Sequence, residues 1–93
     1  GTGVSPTDVT PEAMNLVFDK EVPGMAEAMR AASLAITPKA VISRGRAGIR
    51  TQSLIINLPG SRKGALENIE VLLPALDHAI EKIKGSTEDC AES

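Results

Sequence analysis

Aromatic residues are almost missing from this 93-residue chain, which contains one phenylalanine, Phe18, and no tryptophan or tyrosine. The core must therefore be built from aliphatic side chains. Hydrophobic residues make up 42% of the chain, close to the globular norm, so the composition does not predict disorder. The length fits one small domain that buries a modest share of its surface.

Cysteine and histidine are equally scarce, with one of each. A lone Cys90 in a polar stretch excludes an internal disulfide framework and favours a reducing compartment. A lone His78 leaves no cluster of Cys and His for zinc and no evident base near Ser43, Ser53 or Ser61. A zinc site and a Ser-His-Asp hydrolase are therefore not expected.

Excess positive charge and long apolar runs are also lacking. The net charge is −2 and the pI is about 5.3, which provides no basic footprint for nucleic acid. No apolar run approaches the roughly 18 residues that a membrane span needs, and nothing indicates a charged and apolar leader. Neither a membrane segment nor secretion is predicted.

What is present is a glycine-rich start, GTGVSPTDVTPEAM, over residues 1–14. Gly1 and Gly3 lack a Cβ, so the loop is predicted to adopt positive φ and turn its N–H groups toward an anion. Asp8 offers the hard oxygen that Mg²⁺ takes when it shares a substrate phosphate. Thr10 as N-cap and Pro11 are typical of a helix start. The pattern indicates a phosphate-and-metal site; a plain turn into a capped helix is the alternative.

The remaining pattern predicts an α/β chain. Apolar spacing favours three helices, at about 11–22, 23–34 and 62–84. The β-prone runs 40–43 and 53–58 favour a hairpin over about 40–58, in which Gly45 and Gly48 would allow a bulge or bend.

The last predicted helix carries expectations of its own. Its apolar residues keep a helical spacing from Leu66 to Ile83, which predicts a buried stripe. Pro74 should kink the helix, and Gly85 should end it. Residues 86–93 are predicted to be a polar tail beyond a domain at 1–85.

A second loop, Pro59-Gly60-Ser61, repeats the arrangement of a turn before a helix. Gly60 permits close approach, Ser61 could donate to a ligand, and the following helix start favours an anion. An ordinary turn with Ser61 as N-cap is the alternative.

A third segment, SRGRAGIR over residues 43–50, holds three arginines. Ser43 and Arg44 could hold a phosphate or carboxylate, and a solvated hairpin end is an equally weighted alternative. For Arg46 and Arg50 the solvated alternative is preferred. The chain also starts without the β-strand that normally precedes a glycine-rich phosphate loop, so we interpret it as the C-terminal half of a larger domain.

Taken in order, the blocks GTG–SPTDVTPEA, EVPGMAEAMR, AVISRGRAG, LIINLPGSRKG and LLPALDHAI resemble the molybdopterin adenylyltransferases of molybdenum cofactor biosynthesis. That family includes bacterial Mog proteins and the G domains of a plant protein and of gephyrin. The resemblance covers about residues 1–84 and implies a MoaB/Mog-like mixed-sheet domain, cytoplasmic and usually trimeric. It implies Mg²⁺-dependent transfer of AMP from ATP to molybdopterin with release of pyrophosphate, and a molybdenum insertase as a further partner.

The resemblance also assigns residues. Asp8 matches the essential aspartate of the GTGxxxxD motif and is the expected catalytic and metal-binding residue. The residues expected to contact the nucleotide and the pterin are Thr2, Gly3, Ser43, Arg44, Gly48, Pro59, Gly60 and Ser61.

Two departures from the family pattern bear on function. Thr7 stands where relatives often have arginine, and the family's first half, with about three strands and a second essential aspartate, is missing. Two alternatives to an enzyme therefore stay open. One is a non-catalytic molybdopterin-binding or scaffolding module, and the other is an inactive fragment.

Overall fold

The computed structural model describes residues 1–85 and has the predicted α/β character. Its elements in chain order are α1 (Thr10–Met14), β1 (Lys20–Glu21), α2 (Pro23–Leu34), a 3₁₀ helix (Pro38–Ile42), β2 (Ala47–Arg50), β3 (Ser53–Ile56) and α3 (Arg62–Ile83). Helix α2 packs on α3, and both contact the hairpin strands. In this part of the chain, no helix combines the length and hydropathy that crossing a membrane requires. The predicted polar tail, 86–93, lies outside the described residues.

Strands β2 and β3 form a hairpin that is shorter than predicted. Their register runs from Ala47 opposite Ile56 to Arg50 opposite Ser53 without an extra residue, so the expected bulge does not form between them. Thr51 turns the chain with a φ of 53°. β1 pairs with the other edge of β2, so all strand pairs within residues 1–85 are antiparallel, whereas the resemblance implies a mixed sheet.

The first predicted strand, 40–43, is wrong, because this segment belongs to the 3₁₀ helix. Pro38 fits the first position of that helix, and the Thr37 hydroxyl accepts the Lys39 N–H at 3.3 Å. Val41 and Ile42 remain 69% and 50% exposed. Their β-propensity does not form a strand here because propensity reflects packing against a paired neighbour, which the segment lacks among residues 1–85.

The first predicted helix, 11–22, is correct only as far as Met14. The N–H groups of Asp19 and Val22 donate to carbonyls of β2 at 2.7 and 2.8 Å, so the chain becomes strand β1 where a third helical turn was expected. Pro23 contributes, since a residue before proline is driven out of helical geometry, and Val22 has φ −120° and ψ 76°. The N-terminal side also differs, because Val9 and not Thr10 precedes α1, without a side-chain cap.

Helices α2 and α3 agree with their predicted ranges to within a residue. α3 runs continuously through Pro74, and the chain leaves it at Gly85, which has a φ of 88°. The buried core residues of the described chain are Ala26, Met29, Ala47 and Leu72. The predicted stripe on α3 is displaced: Leu66 and Leu73 are more than half exposed, and the buried face runs through Asn68 and Leu72.

Candidate functional site

One cavity of about 530 Å³ lies where the N-terminal loop, α2, the 3₁₀ helix and the start of α3 meet. This volume is within the roughly 300–1,000 Å³ of small-molecule sites. Its lining includes most of the predicted site residues: Thr2, Gly3, Asp8, Ser43, Pro59, Gly60 and Ser61. The first and second glycine loops, which are more than fifty residues apart in the sequence, therefore share one cavity.

The Asp8 carboxylate is held by N–H donors on its own loop. Its Oδ1 lies 2.8 Å from the amino group of Gly1, and its Oδ2 accepts the Ser5 N–H at 3.0 Å. The hydrogen bond from the Ser5 N–H favours the ionised form of this carboxylate. An aspartate with an ordinary pKa of about 3.9 is ionised at neutral pH, and 18% of the Asp8 side chain is exposed on the cavity.

The glycines of the first loop matter because their missing side chains leave room for nearby polar atoms. A Cβ at Gly3 would lie 2.8 Å from Asp8 Oδ2, and a Cβ at Gly1 would lie 2.8 Å from Thr10 Oγ1. Among residues 1–85, Gly85 is the glycine with positive φ. At Gly3 the expected positive φ is therefore not adopted; the missing side chain lets the Asp8 carboxylate and the loop approach each other closely.

The second loop serves as the start of α3. Ser61 Oγ accepts the Gly64 N–H at 3.1 Å, which is the N-cap alternative. The space where a Gly60 side chain would stand is empty, so the backbone of this loop is open to the cavity. Gly64, which the sequence analysis did not single out, is needed because its Cβ would lie 2.8 Å from Ser61 Oγ.

Two predicted site residues do not line the cavity. The Arg44 guanidinium donates hydrogen bonds to the Glu12 carboxylate and to backbone carbonyls. Gly48 lies in the middle of β2, where a Cβ would meet Phe18 Cγ at 2.5 Å and the Lys20 carbonyl oxygen at 2.7 Å. The missing side chain at Gly48 leaves room for the Phe18 ring and for the Lys20 carbonyl of the neighbouring strand.

Of the other two arginines of the third segment, Arg46 is less solvated than expected, whereas Arg50 is exposed as predicted. Arg46 forms an ion pair with Glu21, donates to the Asn15 side-chain oxygen at 2.7 Å and lies 5.2 Å from the Phe18 ring centroid. Only 22% of its side chain is exposed. Arg50 donates to carbonyls of the turn after α1 at 3.2 and 3.3 Å. Both arginines thus fasten the α1 region to β2.

The cavity also has lining residues that the sequence analysis missed. Asn68 is 4% exposed and donates from Nδ2 to Ser33 Oγ at 2.7 Å. Arg30 donates to the Gly45 carbonyl at 2.8 Å and so supports the wall beside Ser43. The sequence did contain a signal for Asn68, because it lies four residues before Leu72 and so shares a helical face with it. The predicted apolar stripe, which began at Leu66, did not include that face.

The charges around the cavity favour an anionic ligand with a cation near Asp8. The lining cations are Arg30, Lys39 and Lys63, and the lining acids are Asp8 and Glu67. Residues 1–85 contain no group of three or more His, Cys, Asp or Glu placed to hold a metal ion. A magnesium ion that shares a substrate phosphate needs only one or two carboxylates, and Asp8 offers one. The donor set therefore fits a metal that arrives with its substrate.

Comparisons with known proteins identify the family to which this chain belongs. A family described as probable molybdopterin binding domain matches residues 1–78. The chain is 54% identical over 80 residues to gephyrin of Dictyostelium discoideum, covering 86% of this chain and 11% of that protein. It is 46% identical over 86 residues to molybdopterin adenylyltransferase of Helicobacter pylori, covering 92% of this chain and 49% of that protein.

Solved structures show the same fold. The molybdopterin biosynthesis Mog protein of Mycobacterium ulcerans superposes with a TM-score of 0.84 at 46% identity, covering 88% of this chain and 54% of that one. The molybdopterin biosynthesis enzyme MoaB of Thermus thermophilus gives a TM-score of 0.80 at 53% identity, with 91% and 54% covered. The chain thus spans about half the length, or less, of these relatives.

Proposed function

Because this chain belongs to the family of probable molybdopterin binding domains, we propose that the protein containing it is a molybdopterin adenylyltransferase of molybdenum cofactor biosynthesis. It would transfer AMP from ATP to the terminal phosphate of molybdopterin and release pyrophosphate. The observation that carries the proposal is the cavity in which the ionised Asp8 and both glycine loops meet. The relatives named as adenylyltransferases support the reaction class.

In the proposed reaction an oxygen of the molybdopterin phosphate attacks the α-phosphorus of ATP. A new phosphorus–oxygen bond forms to that oxygen as the bond to the departing pyrophosphate breaks. Such a transfer asks the protein mainly for positioning and for stabilisation of charge. Open backbone at Gly3, Gly60 and Ser61, and side chains at Thr2 and Ser43, would hold the anionic groups, with Pro59 shaping the wall. Lys39 and Lys63 add positive charge at the cavity lining.

Asp8 is the residue we propose to hold Mg²⁺. When bound, the ion would neutralise charge that develops on the phosphates. The Asp8 carboxylate, whose ordinary pKa is about 3.9, is ionised at neutral pH and able to accept the ion. Gly3 contributes by leaving space beside Asp8 Oδ2.

The protein as a whole requires more than this chain in the proposal. This chain covers 49% and 54% of two matched relatives, and we propose that further residues complete both the sheet and the site. The interpretation of residues 1–85 as the C-terminal half of the domain stays a prediction. A homotrimer, a cytoplasmic location and a molybdenum insertase partner are also proposals, which rest on the resemblance.

A second candidate is a non-catalytic pterin-binding or scaffolding module. It is favoured by the relative named gephyrin, in which the matching region makes up 11% of a much larger protein. The two candidates differ in whether the full protein releases pyrophosphate from ATP in the presence of molybdopterin and Mg²⁺. Release supports the enzyme, and binding of molybdopterin without release supports the module.

The sharper test of the enzyme is Asp8→Asn in the full protein. This change removes the charge and keeps the shape, so we expect kcat to fall by about 10²–10³-fold, as for other groups that stabilise a transition state electrostatically. The dissociation constant for molybdopterin should change by less than about threefold, because a contact made mainly in the transition state affects kcat and not ground-state binding. Equal losses in kcat and in pterin affinity would contradict the metal role.

Asp77→Asn is the matched control for this test. It makes the same chemical change on the exposed surface of α3, away from the cavity lining. Its kcat and its pterin affinity should equal those of the unmodified protein.

A further inference from the structure

We infer that Arg44 is a positioning residue, which ties together the two ends of the loop 1–8 and thereby holds the Asp8 carboxylate toward the cavity. We call this loop the Asp8 loop. The inference gives Arg44 a role that differs from the ligand contact expected from the sequence. Its importance for catalysis rests on the proposed function, but the geometry that carries it does not.

Contacts within the protein engage nearly all of the N–H donors of the Arg44 guanidinium. Nε donates to the Gly3 carbonyl at 2.6 Å, and Nη2 donates to the Asp8 carbonyl at 2.8 Å. Nη1 and Nη2 donate to the two carboxylate oxygens of Glu12 at 2.5 and 3.2 Å. A guanidinium has five N–H groups, and four are engaged here. A two-pronged grip on a bound phosphate is therefore not available to this side chain.

These contacts reach both ends of the Asp8 loop at once. The backbone N–H of Arg44 adds a bond to the Thr2 carbonyl at 2.7 Å, next to the Gly3 carbonyl that accepts from Nε. At the other end, the Asp8 carbonyl accepts from Nη2. The other hydrogen bonds of the loop stay within residues 1–10: Asp8 N–H donates to the Ser5 carbonyl at 3.0 Å, Thr10 N–H donates to the Gly1 carbonyl at 3.1 Å, and the Gly1 amino group lies 2.8 Å from Asp8 Oδ1. Arg44 adds a tie from a distant part of the chain that bonds both ends of the loop.

The closeness of Gly3 to Asp8 shows why this tie matters. Asp8 Oδ2 stands 2.8 Å from the place where a Gly3 Cβ would be, so the two ends of the loop are in near contact. Catalytic groups must be held within about 0.5 Å of their working position. A lysine at position 44 would keep the charge but could not bond two carbonyls and a carboxylate together, because it lacks the planar fork.

The test compares Arg44→Lys with Arg46→Lys in the full protein, using amide hydrogen exchange and steady-state kinetics. Arg46→Lys is the matched control, because it makes the same change two residues away on an arginine that bonds Glu21 and the α1 region. For Arg44→Lys we expect the amides of Ser5, Asp8 and Thr10 to exchange at least about tenfold faster, while α3 amides keep their rates. The control should leave the amides of Ser5 and Asp8, which Arg46 does not contact, unchanged.

The kinetic part separates positioning from binding. For Arg44→Lys we expect kcat to fall by about 10–100-fold while the KM values for ATP and molybdopterin change by less than about threefold, since a small misplacement acts on the reacting geometry. A KM that rises without a change in loop exchange would show that Arg44 binds the substrate and would overturn the inference. Faster exchange of equal size in the loop and in α3 would also overturn it, because Arg44 would then be a general stabiliser.

A milder variant keeps the test decisive if Arg44→Lys does not fold. Glu12→Gln removes the ion pair and leaves the bonds from Arg44 to the Gly3 and Asp8 carbonyls, so the same three amides should exchange about two- to fivefold faster. If both variants fold, unchanged exchange in both would refute the inference. If Arg44→Lys does not fold, unchanged exchange in Glu12→Gln alone would refute it. Absence of pyrophosphate release by the unmodified protein would defeat only the proposed function, because the exchange rates would still decide the role of Arg44.

Discussion

At the residue scale, glycine and arginine have a different use here from the one that their motifs suggest. Gly3 and Gly64 leave room for polar atoms, and Gly48 leaves room for a ring and a carbonyl. Arg44 and Arg46 donate their N–H groups to acceptors within the protein. Residue types in a motif therefore show that a position is constrained, but the contacts decide whether a ligand or the protein imposes the constraint.

Gly48 provides a direct test of this argument. Gly48→Ala would place a methyl group 2.5 Å from Phe18 Cγ and 2.7 Å from the Lys20 carbonyl oxygen, so ring and backbone must move. We expect the free energy of unfolding of the full protein to fall by about 1–3 kcal/mol, as in other overpacked interiors. Urea denaturation at pH 7 measures it.

The control for Gly48→Ala is Gly24→Ala, where nothing lies within 4 Å of the new methyl group and the site is in α2. There we expect a gain of about 0.4–1 kcal/mol, because alanine reduces the freedom of the unfolded chain. Equal losses at both positions would show that the Phe18 contact is not the cause.

The sequence identified the residues of the first two loops but not their mutual contacts. Asp8, Gly60 and Ser61 were predicted, and they line one cavity. The partner of Arg44 could not be predicted, because Glu12 is 32 residues away and nothing local distinguishes an arginine that faces a ligand from one that faces a carboxylate. The buried Asn68 was missed for a related reason, since only its partner Ser33 makes a polar residue acceptable at that position.

At the element scale, prediction succeeded where local signals suffice. Helices α2 and α3 are bounded by Pro23, by Ser61 and by Gly85, and the sequence shows each of these residues. The predictions for residues 15–22 and 40–43 were wrong because the structure of each segment depends on whether a distant strand lies beside it. The edge of β2 takes up Lys20–Glu21, whereas Pro38–Ile42 has no strand beside it in the described residues and becomes a 3₁₀ helix.

The cap of α3 yields a prediction at this scale. Ser61→Ala removes the oxygen that accepts the Gly64 N–H, so the free energy of unfolding should fall by about 1 kcal/mol. Ser61→Asp restores an acceptor at the helix start and should recover most of the loss. Thermal denaturation of the full protein and both variants measures the effect. An alanine variant as stable as the unmodified protein would show that the hydrogen bond contributes nothing.

At the scale of the whole molecule, stability should depend on acid. Hydrogen bonds from Arg44 and Arg46 lower the pKa values of Glu12 and Glu21. A carboxyl whose pKa is lower in the folded chain stabilises it fully above the unfolded pKa and loses that effect as pH falls through the folded pKa.

We therefore expect the free energy of unfolding to be level from pH 7 to about 5 and to fall modestly as the pH drops below about 4.5. The contributions of Glu12 and Glu21 should be small, because both side chains are more than a third exposed. Urea unfolding at a series of pH values measures the curve, and Glu21→Gln should make it shallower near pH 4. A stability that rises between pH 4.5 and 3 would contradict the assignment.

The crowding of Gly48 against Phe18 also has a consequence for how this sequence can drift. A larger residue at position 48 requires a smaller or differently shaped one at position 18, because an added Cβ would lie 2.5 Å from Phe18 Cγ and 2.7 Å from the Lys20 carbonyl oxygen. Across lineages the two positions should therefore change together or not at all. The chain's one aromatic ring is kept in place by the absence of a neighbouring methyl group.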